Sequence, residues 1–231
     1  MRQLNSINNI LKKHPLNLGK GKKSIQNKVS LIETNQLKQL FNIEAKKYYA
    51  SKNKTFTIDN NNKNFLNQLC RYFTQDEAFE TIHNGDLNKG LFIYGNSGTG
   101  KTSSLTIINQ ISKKYTLKNL WFPIIETSEV VMKFNTEKNK DYVIKYYSNG
   151  NYMLDDLGSE PFASNIFIYG KEDIFIRILE ARYIQFITKG TKTYITSNLT
   201  LQEIKKRYGL RIEDRFIEMF NILKLDGESR R

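Results

Sequence analysis

The spacing of apolar positions along the chain changes near residue 90. Before that point, apolar residues recur every three or four positions, as at Leu37, Leu40 and Phe41, and again over residues 65–73. This spacing predicts amphipathic helices in parts of residues 31–88. After residue 90, short apolar runs alternate with helical patterns, which is typical of a parallel α/β sheet with right-handed crossovers.

Five apolar runs after residue 90 are short enough to be buried strands. They are residues 91–94, 120–125, 152–156, 193–196 and 222–225. Helices are predicted at 101–113, 128–134, 141–147, 173–188, from Thr200 in capping-box spacing with Glu203, and at 216–220. The predicted fold class is therefore α/β, a five-stranded parallel sheet flanked by helices.

Positive charge is concentrated near the N-terminus. The net charge is +13, and residues 1–54 hold 12 Lys/Arg and 2 Asp/Glu, against 24 and 21 in the remaining residues. Such a segment attracts nucleic-acid phosphates or an acidic protein surface, or is only a solubilising tail. We divide the chain into a basic N-terminal extension, residues 1–58, as the candidate partner-binding region, and a domain of residues 59–231.

Composition argues against membrane and disulfide-rich classes. No run of about 18 apolar residues is present, and the polar N-terminus lacks the apolar core of a signal peptide, so we expect a cytoplasmic protein without membrane contact. The single cysteine, Cys70, rules out an internal disulfide. Because Cys70 lies in an apolar helical pattern, we expect it in the core rather than in catalysis.

A glycine-rich loop after the first predicted strand carries the clearest chemistry. Its sequence is Gly95-Asn96-Ser97-Gly98-Thr99-Gly100-Lys101-Thr102. This is the G-x-x-x-x-G-K-[ST] pattern, with the strand before it and the helix after it that a phosphate loop requires. Its N–H groups and Lys101 would bind phosphate oxygens, and the Thr102 hydroxyl would bind Mg²⁺. The loop predicts a nucleoside triphosphate site, for ATP with Mg²⁺.

Polar residues follow two further predicted strands. Asp155 and Asp156 end the strand at 152–156, where phosphate-loop ATPases hold Mg²⁺ and orient the attacking water. Thr196-Ser197-Asn198 stands at the end of the strand at 193–196, where a polar side chain can hold that water or contact the γ-phosphate. Taken alone, an acid pair or a Ser/Asn-rich segment after a strand is an ordinary turn. Combined with the phosphate loop, these residues predict a catalytic edge of the sheet.

Two arginines, Arg211 and Arg215, stand four residues apart and so share one face of a predicted helix. An arginine presented to the γ-phosphate of a neighbouring subunit would stabilise transition-state charge. The alternative is a pair of surface arginines bound to Glu213, Asp214 or Glu218.

Together these segments resemble the AAA+ ATPases of the replicative helicase-loader type, the DnaC/DnaI group, which also includes the IstB transposition ATPases. The resemblance covers roughly residues 60–231. It rests on the phosphate loop and on segments 154–158, 195–199, 208–216 and 225–231. It implies an AAA+ sheet with a truncated lid. The implied roles are Walker B acids for Asp155 and Asp156, sensor 1 for Asn198, arginine finger for Arg215 (with Arg211 as second choice) and sensor 2 for Arg230.

The resemblance also implies binding partners and a slow rate of ATP hydrolysis. The N-terminal region would grip a hexameric DnaB-type replicative helicase, the ATPase domain would contact single-stranded DNA, and copies would self-assemble through a shared ATP site. Asp156 stands where many AAA+ proteins have Glu, which implies slow hydrolysis. The basic segment 133–145, with Tyr142, Tyr146 and Tyr147 nearby, would follow a DNA strand, or is a plain amphipathic helix.

Two other functions are compatible with the same residues. One is an IstB-like transposition helper that binds duplex DNA, and the other is a nucleotide-switched, protein-binding regulator. A small-molecule kinase fits less well, because an arginine-finger segment would have no purpose in it. The sequence does not identify the adenine pocket, for which Tyr72 and Phe73 are only guesses.

Overall fold

A five-stranded parallel sheet forms the centre of the protein, as predicted. The computed structural model describes residues 32–160, 164–167 and 170–230. The strands of this sheet are β1 (Gly90–Tyr94), β2 (Ile124–Glu126), β3 (Tyr152–Leu157), β6 (Thr193–Ser197) and β7 (Phe220–Lys224). Their order is β2-β3-β6-β1-β7, and all neighbours run parallel. Two further strands, β4 (Ser164–Phe167) and β5 (Gly170–Asp173), form a separate antiparallel hairpin.

Helices cover both faces of the sheet. They are α1 (Thr34–Ala50), α2 (Lys63–Phe73), α3 (Ala78–His83), α4 (Lys101–Lys114), α5 (Thr127–Thr136), α6 (Lys140–Ser148), α7 (Ile174–Lys189), α8 (Leu201–Tyr208) and α9 (Leu210–Met219). On β1, Leu91 and Ile93 pack with α1, α2 and α4, whereas Phe92 packs on the opposite face with α5 to α9. Because alternate side chains of one strand are buried on both faces, β1 is apolar throughout.

The first helix, α1, is built into the same core as the sheet. Its residues Leu37, Leu40 and Phe41 are buried in one cluster with residues of α2, α4 and β1. Lys114, at the end of α4, donates to both carboxylate oxygens of Glu44 at 2.8 and 2.9 Å. The predicted division at residue 58 would assign α1 to the N-terminal extension, whereas in the structure α1 packs in the core of the ATPase domain. Residues 1–31 of the predicted extension lie outside the described residues.

Two predicted elements were placed wrongly. In the segment predicted as a strand at 120–125, only the end belongs to the sheet, because β2 begins at Ile124 after a 3₁₀ turn at Lys118–Leu120. Pro123 lacks an N–H for a ladder bond, which limits the strand on that side. The helix predicted at 216–220 ends at Met219, and Phe220 begins β7. The β4–β5 hairpin was not predicted.

The structure also tests two expectations drawn from composition. Among the described residues, no helix is both long enough and apolar enough to cross a bilayer. Cys70 is buried in the core, and this burial raises the pKa of its thiol to about 12. Its burial confirms that Cys70 is a core residue, and a thiol with a raised pKa is a poor nucleophile.

Candidate nucleotide site

The phosphate loop connects β1 to α4 at the edge where the parallel strands end. Gly95 has φ +146°, and a Cβ built on it would lie 2.1 Å from the carbonyl oxygen of Leu225. Gly100 has φ +107° and is the residue before α4. Glycine is therefore required for backbone conformation at both positions and for close packing at Gly95. The first N–H groups of α4 have no partner within the helix and face the loop, as phosphate binding needs.

Lys101 joins the loop to the end of β6. Its side chain is buried, and its Nζ donates to the carbonyl oxygens of Gly95 and Asn96 and to Oδ1 of Asn198, each at 2.8 Å. These acceptors satisfy an ammonium group that burial would otherwise penalise. The predicted phosphate-binding lysine and the predicted sensor asparagine are thus in direct contact.

Thr102 and Asp155 also meet, as their predicted shared role requires. The Thr102 hydroxyl donates to Oδ1 of Asp155 at 2.7 Å, and the Thr196 hydroxyl donates to the same oxygen. Burial raises the pKa of Asp155, and the two hydroxyl bonds partly offset that shift. A partly buried carboxylate beside a threonine hydroxyl fits Mg²⁺, which takes oxygen ligands and usually one or two carboxylates together with substrate phosphates.

Asp156 reaches the same cavity because β3 is irregular there. The register of β3 against β6 shifts between Leu154 and Leu157, and Asp156 has φ +59°. In a regular strand, Asp155 and its neighbour would point to opposite faces. The bulge instead brings Asp156 Oδ1 within 3.0 Å of the Asn198 side-chain amide, which donates to it. Both acids therefore line one cavity.

This cavity has a volume of about 310 Å³ and gathers most of the predicted site residues. Those that line it are Gly98, Gly100, Lys101, Thr102, Asp155, Asp156, Asn198 and Arg230. Of the five other lining residues, Ser103 follows Thr102 in α4. The remaining four, Tyr48, Tyr49, Lys52 and Lys54, come from the end of α1 and the segment after it. They stand far before the loop in sequence and belong to no motif, so the sequence contained no signal for them.

The two residues named for the adenine pocket do not line this cavity. Tyr72 and Phe73 are buried in the core, and the Tyr72 hydroxyl donates to the carbonyl oxygen of Lys89 at 2.6 Å. The aromatic side chains that line the cavity are Tyr48 and Tyr49. Tyr49 lies so close to the loop that a Cβ on Gly100 would be 3.3 Å from its hydroxyl oxygen.

Arg230 lies on the cavity wall near the phosphate loop. Its backbone N–H donates to the carbonyl oxygen of Gly98 at 2.9 Å. Its Nη2 donates to Oδ2 of Asp59 at 2.7 Å, and this bond holds the pKa of Asp59 below its usual value. Asp59 lies in the connection between α1 and α2, and no sequence motif placed it at the nucleotide site.

The two candidate finger arginines lie apart from the cavity of their own chain. Both pair with Glu180 of α7, Arg215 through Nη1 at 2.8 Å and Arg211 through Nε at 3.2 Å. Arg215 is 13% exposed and stacks over the ring of Tyr183, whereas Arg211 is 74% exposed. Their acidic partner is thus on a neighbouring helix rather than on α9. Their role toward a neighbouring subunit stays a prediction.

Comparison with known proteins gives one relative in sequence and several in structure. No protein-family model matches the chain. The replicative helicase loader DnaI of Bacillus subtilis is 26% identical over 158 residues, which are 62% of this chain and 48% of DnaI. The match thus spans about half the length of that relative.

Two solved structures have a similar fold. The crystal structure of a DnaC helicase loader matches with a TM-score of 0.52 and 19% identity, over 74% of this chain and 93% of that one. The crystal structure of DnaI matches with a TM-score of 0.51 and 20% identity, over 74% and 88%. At these identities the structures show a shared fold. In sequence and in fold, the chain resembles the DnaC/DnaI-type AAA+ ATPases.

Proposed function

We propose that the protein is an ATP-dependent replication factor that assembles on single-stranded DNA and delivers a hexameric replicative helicase. The observation that carries the proposal is the meeting of the phosphate loop, the acid pair and Asn198 at one cavity. The similarity to the helicase loader DnaI supports the cellular role.

The residues around the cavity divide the work of ATP hydrolysis among them. The loop N–H groups and Lys101 would bind the β- and γ-phosphates. Thr102 and Asp155 would hold Mg²⁺, which would supply positive charge to the reaction. Asp156 orients the attacking water, and Asn198 bridges that water and the γ-phosphate. Asn198 already contacts both Lys101 and Asp156, so it links the phosphate-binding side to the hydrolytic side.

We assign helicase binding to residues 1–31 rather than to all of residues 1–58. These 31 residues contain seven Lys/Arg and no Asp/Glu, so they carry the strongest excess of positive charge. Helix α1, in contrast, packs in the core, and its end lines the nucleotide cavity. Removing α1 together with residues 1–31 would therefore damage the ATP site as well.

Deleting residues 1–31 is expected to abolish capture of the DnaB-type helicase from the same genome while leaving ATP binding unchanged. The measurement is co-purification of the two proteins with and without ATP, alongside a nucleotide titration. Deletion of residues 1–54 is the informative contrast, because it should lose ATP binding too.

Other outcomes of this experiment decide between the functions. Capture by the shortened chain would place the helicase contact in the ATPase domain. Failure of the undeleted chain to capture the helicase would rule out the loader role. Binding of duplex DNA and of a transposase would then favour the transposition helper, and binding of neither DNA nor helicase would favour the protein-binding regulator.

The surface formed by α5 and α6 has the chemistry to bind a single DNA strand. Tyr142 and Tyr146 are about half exposed, and their ring centroids are 6.1 Å apart. Lys133 Nζ lies 4.5 Å from the centroid of the Tyr146 ring. Exposed aromatic rings beside lysines stack bases and attract the phosphate backbone. We therefore assign the single-stranded DNA contact to this surface.

Tyr146→Ala is expected to weaken binding of a labelled single-stranded oligonucleotide about tenfold, since each stacked base contributes roughly 1–3 kcal/mol. Fluorescence anisotropy at fixed salt measures the effect. Trp121→Ala removes an equally exposed aromatic residue outside this surface and should change nothing. Equal affinities of the wild type and Tyr146→Ala for the oligonucleotide would show that α6 is an ordinary amphipathic helix without a role in DNA binding.

A further inference from the structure

We propose that Asp59 is a positioning residue that makes the cavity prefer a nucleoside triphosphate over a diphosphate. It does so by holding the guanidinium of Arg230 at the cavity wall, where that group contacts the γ-phosphate. The inference rests on the proposed function, since it concerns the same ATP site, and it adds a residue that no motif contains.

Arg230 is attached to the site at two points. Its backbone N–H is bonded to Gly98 in the phosphate loop, which fixes where the side chain begins. Its Nη2 is bonded to Asp59, which fixes where the side chain ends. Asp59 is the sole hydrogen-bond acceptor of the guanidinium among the described residues, and the bond uses one nitrogen of three. The planar guanidinium thus keeps donors for a phosphate oxygen.

Asp59 is itself held rigidly. Its Oδ1 accepts the backbone N–H groups of Asn61 at 2.9 Å and of Asn62 at 3.1 Å. The Asn62 side chain is buried and accepts the backbone N–H of Asp59 at 2.9 Å. The two carboxylate oxygens of Asp59 therefore bind different groups. Oδ1 accepts the backbone N–H groups of the turn before α2, and Oδ2 accepts the bond from Arg230. Asp59 does not line the cavity, whereas Arg230 does, so the Asp59 side chain does not occupy space that a nucleotide would need.

Fixing the guanidinium of Arg230 raises the affinity of the cavity for a nucleotide that has a γ-phosphate. A free arginine side chain loses rotamer entropy when a ligand fixes it, and an arginine already fixed by Asp59 avoids much of that loss. Many of the loop N–H groups contact phosphates that ATP and ADP share, so these groups contribute less to the preference for ATP. The Asp59 charge also repels phosphate, but its side chain is 40% exposed and water screens that repulsion.

Asp59→Asn is expected to remove the bond to Arg230 while keeping the bonds that stabilise the turn before α2. Asparagine keeps an Oδ1 acceptor for the turn and replaces the oxygen that binds Arg230. We expect the affinity ratio of a non-hydrolysable ATP analogue over ADP to fall about tenfold in Asp59→Asn, and at least as much in Arg230→Ala. The double variant should equal Arg230→Ala alone, because the effect of Asp59 passes through that arginine. Calorimetric titration of the full chain measures both affinities.

Matched variants exclude a general structural effect. Asp226→Asn removes another carboxylate that pairs with a basic side chain near the C-terminal end, that of Lys224, and should leave the ratio unchanged. Melting of the nucleotide-free protein checks the fold of each variant. If Asp59→Asn unfolds, Arg230→Lys provides the test: it keeps the charge but cannot contact a carboxylate and a phosphate in one plane, and it should lose the same preference.

The results that overturn the inference differ from those that overturn the ATP site. An unchanged ratio, a higher affinity for the ATP analogue in Asp59→Asn, or additive effects in the double variant would each refute the role of Asp59 while leaving ATP binding intact. A wild-type chain that binds neither nucleotide would refute the proposed function itself.

Discussion

Lys101→Ala is expected to lower the affinity for ATP at least about a hundredfold and to abolish every ATP-dependent step of assembly. The side chain supplies charge-assisted hydrogen bonds to the phosphates, which are worth roughly 1.5–3 kcal/mol each, and about 1.4 kcal/mol corresponds to a factor of ten. Its bonds to Gly95, Asn96 and Asn198 place the ammonium inside the loop.

A second lysine of α4 provides the control for this variant. Lys113 is exposed and lies on the same helix, so Lys113→Ala removes the same charge without touching the loop. Nucleotide titration should show wild-type affinity for Lys113→Ala and loss of binding for Lys101→Ala. Wild-type ATP affinity in Lys101→Ala would refute the assignment of the phosphate site.

The parts of the fold that the sequence predicted are those encoded locally. The phosphate loop is continuous in sequence, and each of its glycines has a conformational reason that a pattern can reveal. Four of the five strands were placed closely because buried parallel strands are short continuous apolar runs. The β2 strand was predicted too early because the apolar run 120–125 contains Pro123 and an exposed Trp121, which periodicity alone does not register.

The parts that the sequence did not predict depend on contacts between distant segments. Asp59 and Arg230 are separated by 171 positions, and neither the pair nor its place beside the phosphate loop follows from any local pattern. Tyr48 and Tyr49 reach the cavity only because α1 packs against α4. The left-handed conformation of Asp156 arises from a bulge in β3, whereas the residue type by itself indicates only an acid at the end of a strand.

Arg215→Ala is expected to bind ATP with wild-type affinity and to lose hydrolysis about a thousandfold, as removal of an arginine finger does in other phosphate-loop enzymes. Arg215 does not line the cavity of its own chain, so its effect on hydrolysis requires a neighbouring subunit. Arg211→Ala is the matched control on the same helix, and it also loses a bond to Glu180. The opposite pattern, with hydrolysis lost only in Arg211→Ala, would assign the finger to the more exposed arginine.

Mixing two inactive variants tests whether the active site is shared between subunits or formed within one chain. Lys101→Ala subunits cannot bind ATP but still carry Arg215, and Arg215→Ala subunits bind ATP but lack the finger. If Arg215 acts on a neighbour, the mixture regains ATPase activity that neither variant has alone, with a dependence on the mixing ratio. Activity that stays absent at every ratio, while the subunits demonstrably assemble, would contradict an inter-subunit role. Because Glu180 holds Arg215 in the single chain, we further expect recovery to require the protein concentration at which assembly begins.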